Sequence, residues 1–97
     1  MHARIAAFEG GDDERLRQIN EERMSSGEMN TPEGMKSGMV LADRASGRRL
    51  FISFFEDEAS LKAAEPRFEA MGDEIPEDVR GRRTSVDVYE VVWQGEV

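Results

Sequence analysis

Residues 47–65 read GRRLFISFFEDEASLKAAE, and this stretch constrains the fold more than any other. Gly47 can take the positive φ of a tight turn. Leu50 to Phe55 is an apolar and aromatic run of the length of a strand. Asp57 follows at once, a residue whose short side-chain oxygen accepts one of the N–H groups left open at a helix start. Leu61, Ala64, Phe68, Met71 and Ile75 then recur at steps of three and four, which predicts a helix after the strand with almost no linker between them. Pro66 removes one backbone donor inside that period, and the unbroken apolar phase predicts one helix kinked there with Pro66 on its outer face.

The rest of the chain fits around this unit. Residues 3–8 (ARIAAF) form a first strand ended by Gly10-Gly11. Asp12 or Asp13 caps a first helix, with Leu16, Ile19 and Met24 as its thin apolar stripe. Residues 25–38, rich in Ser, Gly, Asn and Pro, read as a loop. Met39 to Asp43 is a second strand, Arg44 to Arg48 a hairpin turn, Leu50 to Phe55 the third strand, and Ser85 to Trp93 the fourth, after a loop marked by Pro76 and Gly81. The order is β-α-β-β-α-β. Right-handed connections and a sequential hairpin give an antiparallel sheet of order 4-1-3-2 with both helices on one face.

Alternation within the strands makes both sheet faces apolar. Val86, Val88 and Val92 share one face with Glu90, while Tyr89, Val91 and Trp93 share the other; Leu50, Ile52 and Phe54 oppose Phe51, Ser53 and Phe55. Two helices cover one face only, and a half-solvated antiparallel sheet would alternate apolar with polar. A second copy of the same sheet is the simplest cover, so a homodimer is expected. The length suits a single domain over residues 1–97 with a modest core.

Composition excludes several functions. A net charge of −8, from 21 acidic residues against 13 Lys and Arg, opposes general nucleic-acid or anionic-membrane binding. The absence of cysteine removes disulfides, thiolate metal sites and Cys nucleophiles. No apolar run approaches a membrane span, and the first residues lack the parts of a signal peptide. A cytoplasmic protein is the expectation.

The combination Gly47-x-x-Leu50-x-Ile52-x-Phe54-Phe55-Glu56-x-Glu58, the helix after it, and Val86-x-Val88-Tyr89-Glu90-Val91 resembles the antibiotic-biosynthesis-monooxygenase-like members of the dimeric α+β barrel superfamily. The resemblance covers most of residues 3–93. It implies an α+β, ferredoxin-like protomer and a dimer, and activities that include cofactor-free oxygenation of quinol-like aromatics, heme degradation and small-molecule isomerisation. The cofactor-free oxygenases use an Asn on strand three and a Trp near its end, where this chain carries Phe51 and Phe55. The heme degraders use an Asn on strand one, near Ala3 here, and a His on the second helix, which here contains none. The isomerases rely on His and acids in the cleft, and His2 is the single histidine.

The residues expected to contact a ligand are Phe51, Ser53, Phe55, Tyr89, Trp93 and Arg4, a mostly apolar lining with a few polar anchors for a hydrophobic or aromatic small molecule. Their other reading is sheet core and dimer interface. Arg4, a charge in mid-strand, needs a partner, and Glu90 on the neighbouring strand is the expected one. No residue is assigned a catalytic role, and neither a metal nor a cofactor is expected. His2 lacks an evident orienting partner, and Asp12, Asp13 and Glu14 read as helix-start acids. Met24, Met29, Met35 and Met39 around the long loop read either as a flexible apolar lid or as gap-filling core. The topology gathers Arg44, Arg48, Arg49, Arg80, Arg82 and Arg83 at one end of the sheet, to meet an anion or the surface acids; Phe55, the Met-bearing loop, His2 and Trp93 belong at the other. The alternative to ligand binding is a non-catalytic structural or regulatory dimer whose site has been filled with phenylalanine.

Overall fold

The computed structural model describes residues 1–26 and 31–97. The elements run β1 (His2–Glu9), α1 (Asp13–Ser26), β2 (Met35–Asp43), β3 (Arg48–Phe55), α2 (Glu58–Ala63), α3 (Glu65–Glu74), α4 (Glu77–Arg80) and β4 (Arg82–Glu90). The four strands form one antiparallel sheet in the order β2-β3-β1-β4, the ferredoxin-like arrangement anticipated from the sequence.

Cross-strand register sorts the side chains by face, because directly paired residues point the same way. Arg4 pairs with Ser53 and with Val88; Ala6 pairs with Phe51 and Val86; His2 pairs with Phe55 and Glu90. This is the helix-side face, since Arg4 reaches Glu65 of α3 and Arg49 reaches Asp13 of α1. The opposite, open face carries Ile5, Leu50, Ile52 and Phe54 at its centre and Met39, Leu41 and Tyr89 toward its edges. Met39, Leu41 and Tyr89 are about half exposed. The apolar patch thins at β4, where Ser85 and Asp87 share the face with Tyr89.

The core lies between the sheet and α2–α3. Phe55, Leu61 and Ala64 are buried together, and Met35 and Phe68 pack against them. Asp57 caps α2 as expected, its carboxylate accepting from the Ser60 N–H at 2.7 Å. The helix anticipated to run kinked through Pro66 is two helices joined at Ala64. Pro66 falls in the first turn of α3, where its missing N–H costs nothing, and it faces solvent.

Other boundaries also move. β2 starts at Met35 rather than Met39, with a bulge between Met35 and Ser37 that hides the alternation. β4 runs from Arg82 to Glu90, not from Ser85 to Trp93. Its last residue pairs with His2, so beyond Glu90 there is no β1 left to bond; only the Val91 N–H to the Met1 carbonyl follows, at 2.8 Å. At its start β4 follows β1 up to Glu9, past an irregularity at Ala7/Phe8. The stretch read as a loop after Pro76 contains α4.

One end of the sheet is tied by backbone bonds. The Gly10 N–H donates to Gly47 O at 3.0 Å and the Asp12 N–H to Val79 O at 2.9 Å. Gly81, at φ 85°, passes so close that a Cβ there would sit 2.7 Å from Glu9 O. The hairpin, the β1–α1 turn and the α4–β4 junction therefore share this end, as the topology required. No helix among the described residues is long and apolar enough to cross a membrane.

Candidate functional site

Four of the six sequence-predicted ligand residues gather on the helix-side face. Phe51 stacks edge-to-face on Phe8 with ring centroids 5.0 Å apart. Ser53 is buried beside Arg4, one row further along the strands. Phe55 follows, fully buried, edge-to-face with Phe68 at 6.0 Å. The other two stand elsewhere. Tyr89 pairs with Ala3 on the open face and is half exposed; Trp93 lies beyond the end of β4, 73 % exposed.

Arg4 is held by α3, not by β4. Its Nε donates to Glu65 Oε1 at 2.5 Å, a second nitrogen donates to Oε2 at 3.4 Å, and the guanidinium lies 4.2 Å from the Phe68 ring centre. The expected partner Glu90 is in register with His2, one row away, which is why it does not serve. A two-point carboxylate contact and an aromatic ring satisfy a buried guanidinium that the sheet alone would leave bare.

His2 gains the partner that the sequence did not reveal. Its Nε2 lies 3.7 Å from Glu58 Oε2, in the first turn of α2, while its Nδ1 is buried. Glu58 is distant in sequence, and only the direct passage from β3 into α2 sets it beside the start of β1. The Glu58 carboxyl is held below its ordinary value of 4.5, first by the hydrogen bond from Lys62 and then by the charges of Lys62 and His2. Asp57 is held below 3.8, chiefly by its hydrogen bonds from Ser60, with His2 adding to the effect.

At the arginine-rich end, Arg49, Arg82 and Arg83 are paired with acids of the same chain. Arg49 is buried on Asp13 and donates to Arg80 O at 3.0 Å; Arg82 meets Glu9 at 3.4 Å and Arg83 meets Glu69 at 2.6 Å. Asp13 thus anchors an arginine as well as starting a helix. Among the described residues no group of three or more His, Cys, Asp or Glu is placed to hold a metal ion.

The methionines divide. Met35 belongs to the core beside Phe55, Met24 and Met39 are exposed, and Met29 lies outside the described residues. Neither of two surface hollows includes Phe51, Ser53 or Phe55. One lies along Gln18, Glu21 and Glu22 of α1, and the other, of about 260 Å³, lies at Leu41, Arg48 and Leu50. The helix-side face thus offers aromatic rings and three polar groups, Arg4, Ser53 and the His2–Glu58 pair, with its Phe55 end closed by packing.

The ferredoxin-like fold is shared with two solved structures. A mutant of MhuD, with two manganese protoporphyrin IX molecules bound per active site, is similar over the whole of both chains, with TM-score 0.61 and 15 % identity. A Deinococcus radiodurans protein, provisionally described as an antibiotic biosynthesis monooxygenase, is similar over 100 % of this chain and 98 % of its own, with TM-score 0.54 and 12 % identity. At these identities the likeness is one of fold. No protein-family model matches the chain, and no curated protein does.

Proposed function

We propose that residues 1–97 form one ferredoxin-like domain that binds a hydrophobic or aromatic small molecule on the helix side of its sheet. It works as a homodimer closed through the open sheet faces. The observation that carries the ligand reading is the set of rings Phe8, Phe51, Phe55 and Phe68 around buried Arg4 and Ser53, an apolar surface with few placed polar groups. The fold neighbours support it, one of them holding a porphyrin in its active site. The dimer reading rests on the apolar centre of the open face, from Leu50, Ile52 and Phe54 across to Ile5.

Cofactor-independent oxygenation of a quinol-like aromatic is the activity to test first. Oxygen uptake with 1,4-naphthalenediol, measured above the rate of autoxidation, would support it. Uptake equal to the protein-free rate, with no small molecule found by native mass spectrometry of the purified protein, would leave the second reading. That reading is a structural or regulatory dimer, and the complete burial of Phe55 favours it: the ring occupies its site as core. A cytoplasmic setting belongs to the proposal, and fractionation of the native host tests it.

A further inference from the structure

The open face of the sheet carries a pattern that only the register reveals. At the hairpin end its outermost row runs Asp43, Arg48, Glu9, Arg82 from β2 to β4, so the charge changes sign at every strand. All four residues are exposed, and within the row Arg82 meets Glu9 at 3.4 Å. Side-chain size also differs between the two halves of the face. In the next row Leu41 and Leu50 stand on β2 and β3, with Ala7 and Ser85 on β1 and β4. In the row farthest from the hairpin, Phe54 lies beside Ala3, and the small Ser37 at one edge shares the row with Tyr89 at the other. A surface hollow of about 260 Å³ lies along Leu41, Asp43, Arg48 and Leu50.

We propose that the two copies of the homodimer are related by a twofold axis running along the strands, with the charged row of one copy laid on the charged row of the other. This rests on the dimer reading above and gives it a direction. Two sheets packed face to face about a twofold axis have that axis either along the strands or across them. With the axis along the strands, each row meets the same row of the partner in reversed order. Asp43 then faces the partner's Arg82 and Arg48 faces the partner's Glu9, so every charge in the row meets its opposite. Leu50 falls on the partner's Ala7, Phe54 on the partner's Ala3 and Tyr89 on the partner's Ser37, large against small, while Asp87 stays at the rim. The partner's Arg82 is the long side chain that enters the hollow beside Asp43. With the axis across the strands, the charged row meets the far row instead. Glu9 would fall on the partner's Ala3 and Asp43 on the partner's Ser37, which covers two carboxylates without a cation, and Leu50 would meet the partner's Ile52, large against large. Packed sheets cross at about 30°, and an edge strand lies about 7 Å from the axis at a spacing of about 4.8 Å, so the outer pairs are displaced by about 3.6 Å, within the reach of an arginine.

Asp43 and Arg82 stand on opposite edge strands of one sheet, so they do not touch within a chain, and coupling between them reports contact between copies. The test makes Asp43→Arg and Arg82→Asp separately, labels one with ¹⁵N, mixes them in equal amounts at low salt and weighs the dimers by native mass spectrometry. Each variant alone sets like charges against each other twice per dimer, whereas the mixed dimer restores two opposite pairs. Clashes inside a chain are the same in both kinds of dimer and cancel. Exposed pairs are individually weak, but four favourable contacts replace four unfavourable ones, so the exchange equilibrium should favour the mixed dimer by at least about tenfold over random exchange. Mixed dimers then make up more than about three quarters of the total, and the excess shrinks in about 1 M salt. A random half overturns the axis and leaves the dimer standing, as does a mixture that stays monomeric beside a dimeric parent. An excess that salt leaves untouched overturns the charge pairing. A monomeric parent overturns the dimer reading itself. The neutral variants Asp43→Asn and Arg82→Gln ask the same question without a charge reversal: their effects on the dimer dissociation constant are non-additive where the two side chains meet, and strict additivity overturns the axis.

Discussion

Replacing Phe55 by alanine tests the account of the core most severely. Phe55 has no exposed surface and packs on Leu61, Ala64, Met35 and the Phe68 ring. Truncating such a ring removes its transfer free energy and leaves a cavity, together about 3–5 kcal/mol. The edge-to-face pair with Phe68 puts the value toward the upper part of that range, since such pairs add about 0.5–1.5 kcal/mol. Chains of this size hold about 5–15 kcal/mol in all, so the loss is a large share of the total. For a domain near 100 residues each kcal/mol moves Tm by about 4–8 °C, so a fall of at least about 12 °C is expected. Urea unfolding followed by far-UV circular dichroism, at one fixed protomer concentration, should show a midpoint lower by at least about 1 M. A loss below about 1 kcal/mol would refute the packing argument. It would mean that the ring sits loosely in a space evolved for something else, and it would favour the ligand reading over the filled-site reading.

Three further outcomes are expected. Ile52→Glu puts a charge at the centre of the open face and should halve the mass seen by light scattering with the far-UV spectrum unchanged; an unaltered mass, or a monomeric parent, counts against the dimer. Gly81→Ala should cost at least about 2 kcal/mol, because left-handed backbone alone costs about 1–2 kcal/mol and the new Cβ meets Glu9 O; Gly10→Ala, also at positive φ but with nothing within 4 Å among the described residues, should cost less, and equal losses would refute the crowding. Asp57→Ala should lower the urea midpoint at pH 7. The Asp57 carboxyl is depressed in the fold, so its contribution is full above the ordinary value of 3.8 and is lost as pH falls through the lower folded value; the gap between parent and variant should close below pH 3.8, and a constant gap would refute the cap.

The strand order was legible because local signals agreed with one another. Gly47 marked the hairpin, Asp57 the helix start, and the step from Phe55 to Asp57 left no room for another arrangement. What escaped depended on register. Arg4 finds Glu65, and His2 finds Glu58, only once the sheet is aligned and α2 and α3 are laid across it. The extent of β4 was misjudged because valine and tryptophan favour strands on their own account, whereas a strand lasts only as far as its neighbour. The division of the second helix at Ala64 was hidden by an apolar period that survives the break. Of the proposed site, alternation correctly grouped Phe51, Ser53 and Phe55, but it could not say which face of β4 goes with them; the pairing of Arg4 with Val88 puts Tyr89 on the other side.

Trp93, left beyond the last rung of the ladder, also fixes what light can report. It is the only indole in the chain and stands largely in water in the protomer. Its emission has little to lose when the core melts, so intrinsic fluorescence is nearly blind to unfolding. A partner surface laid over the C-terminal segment would dry the indole and shift that emission to the blue, so a blue shift on raising the protein concentration would report assembly at that end.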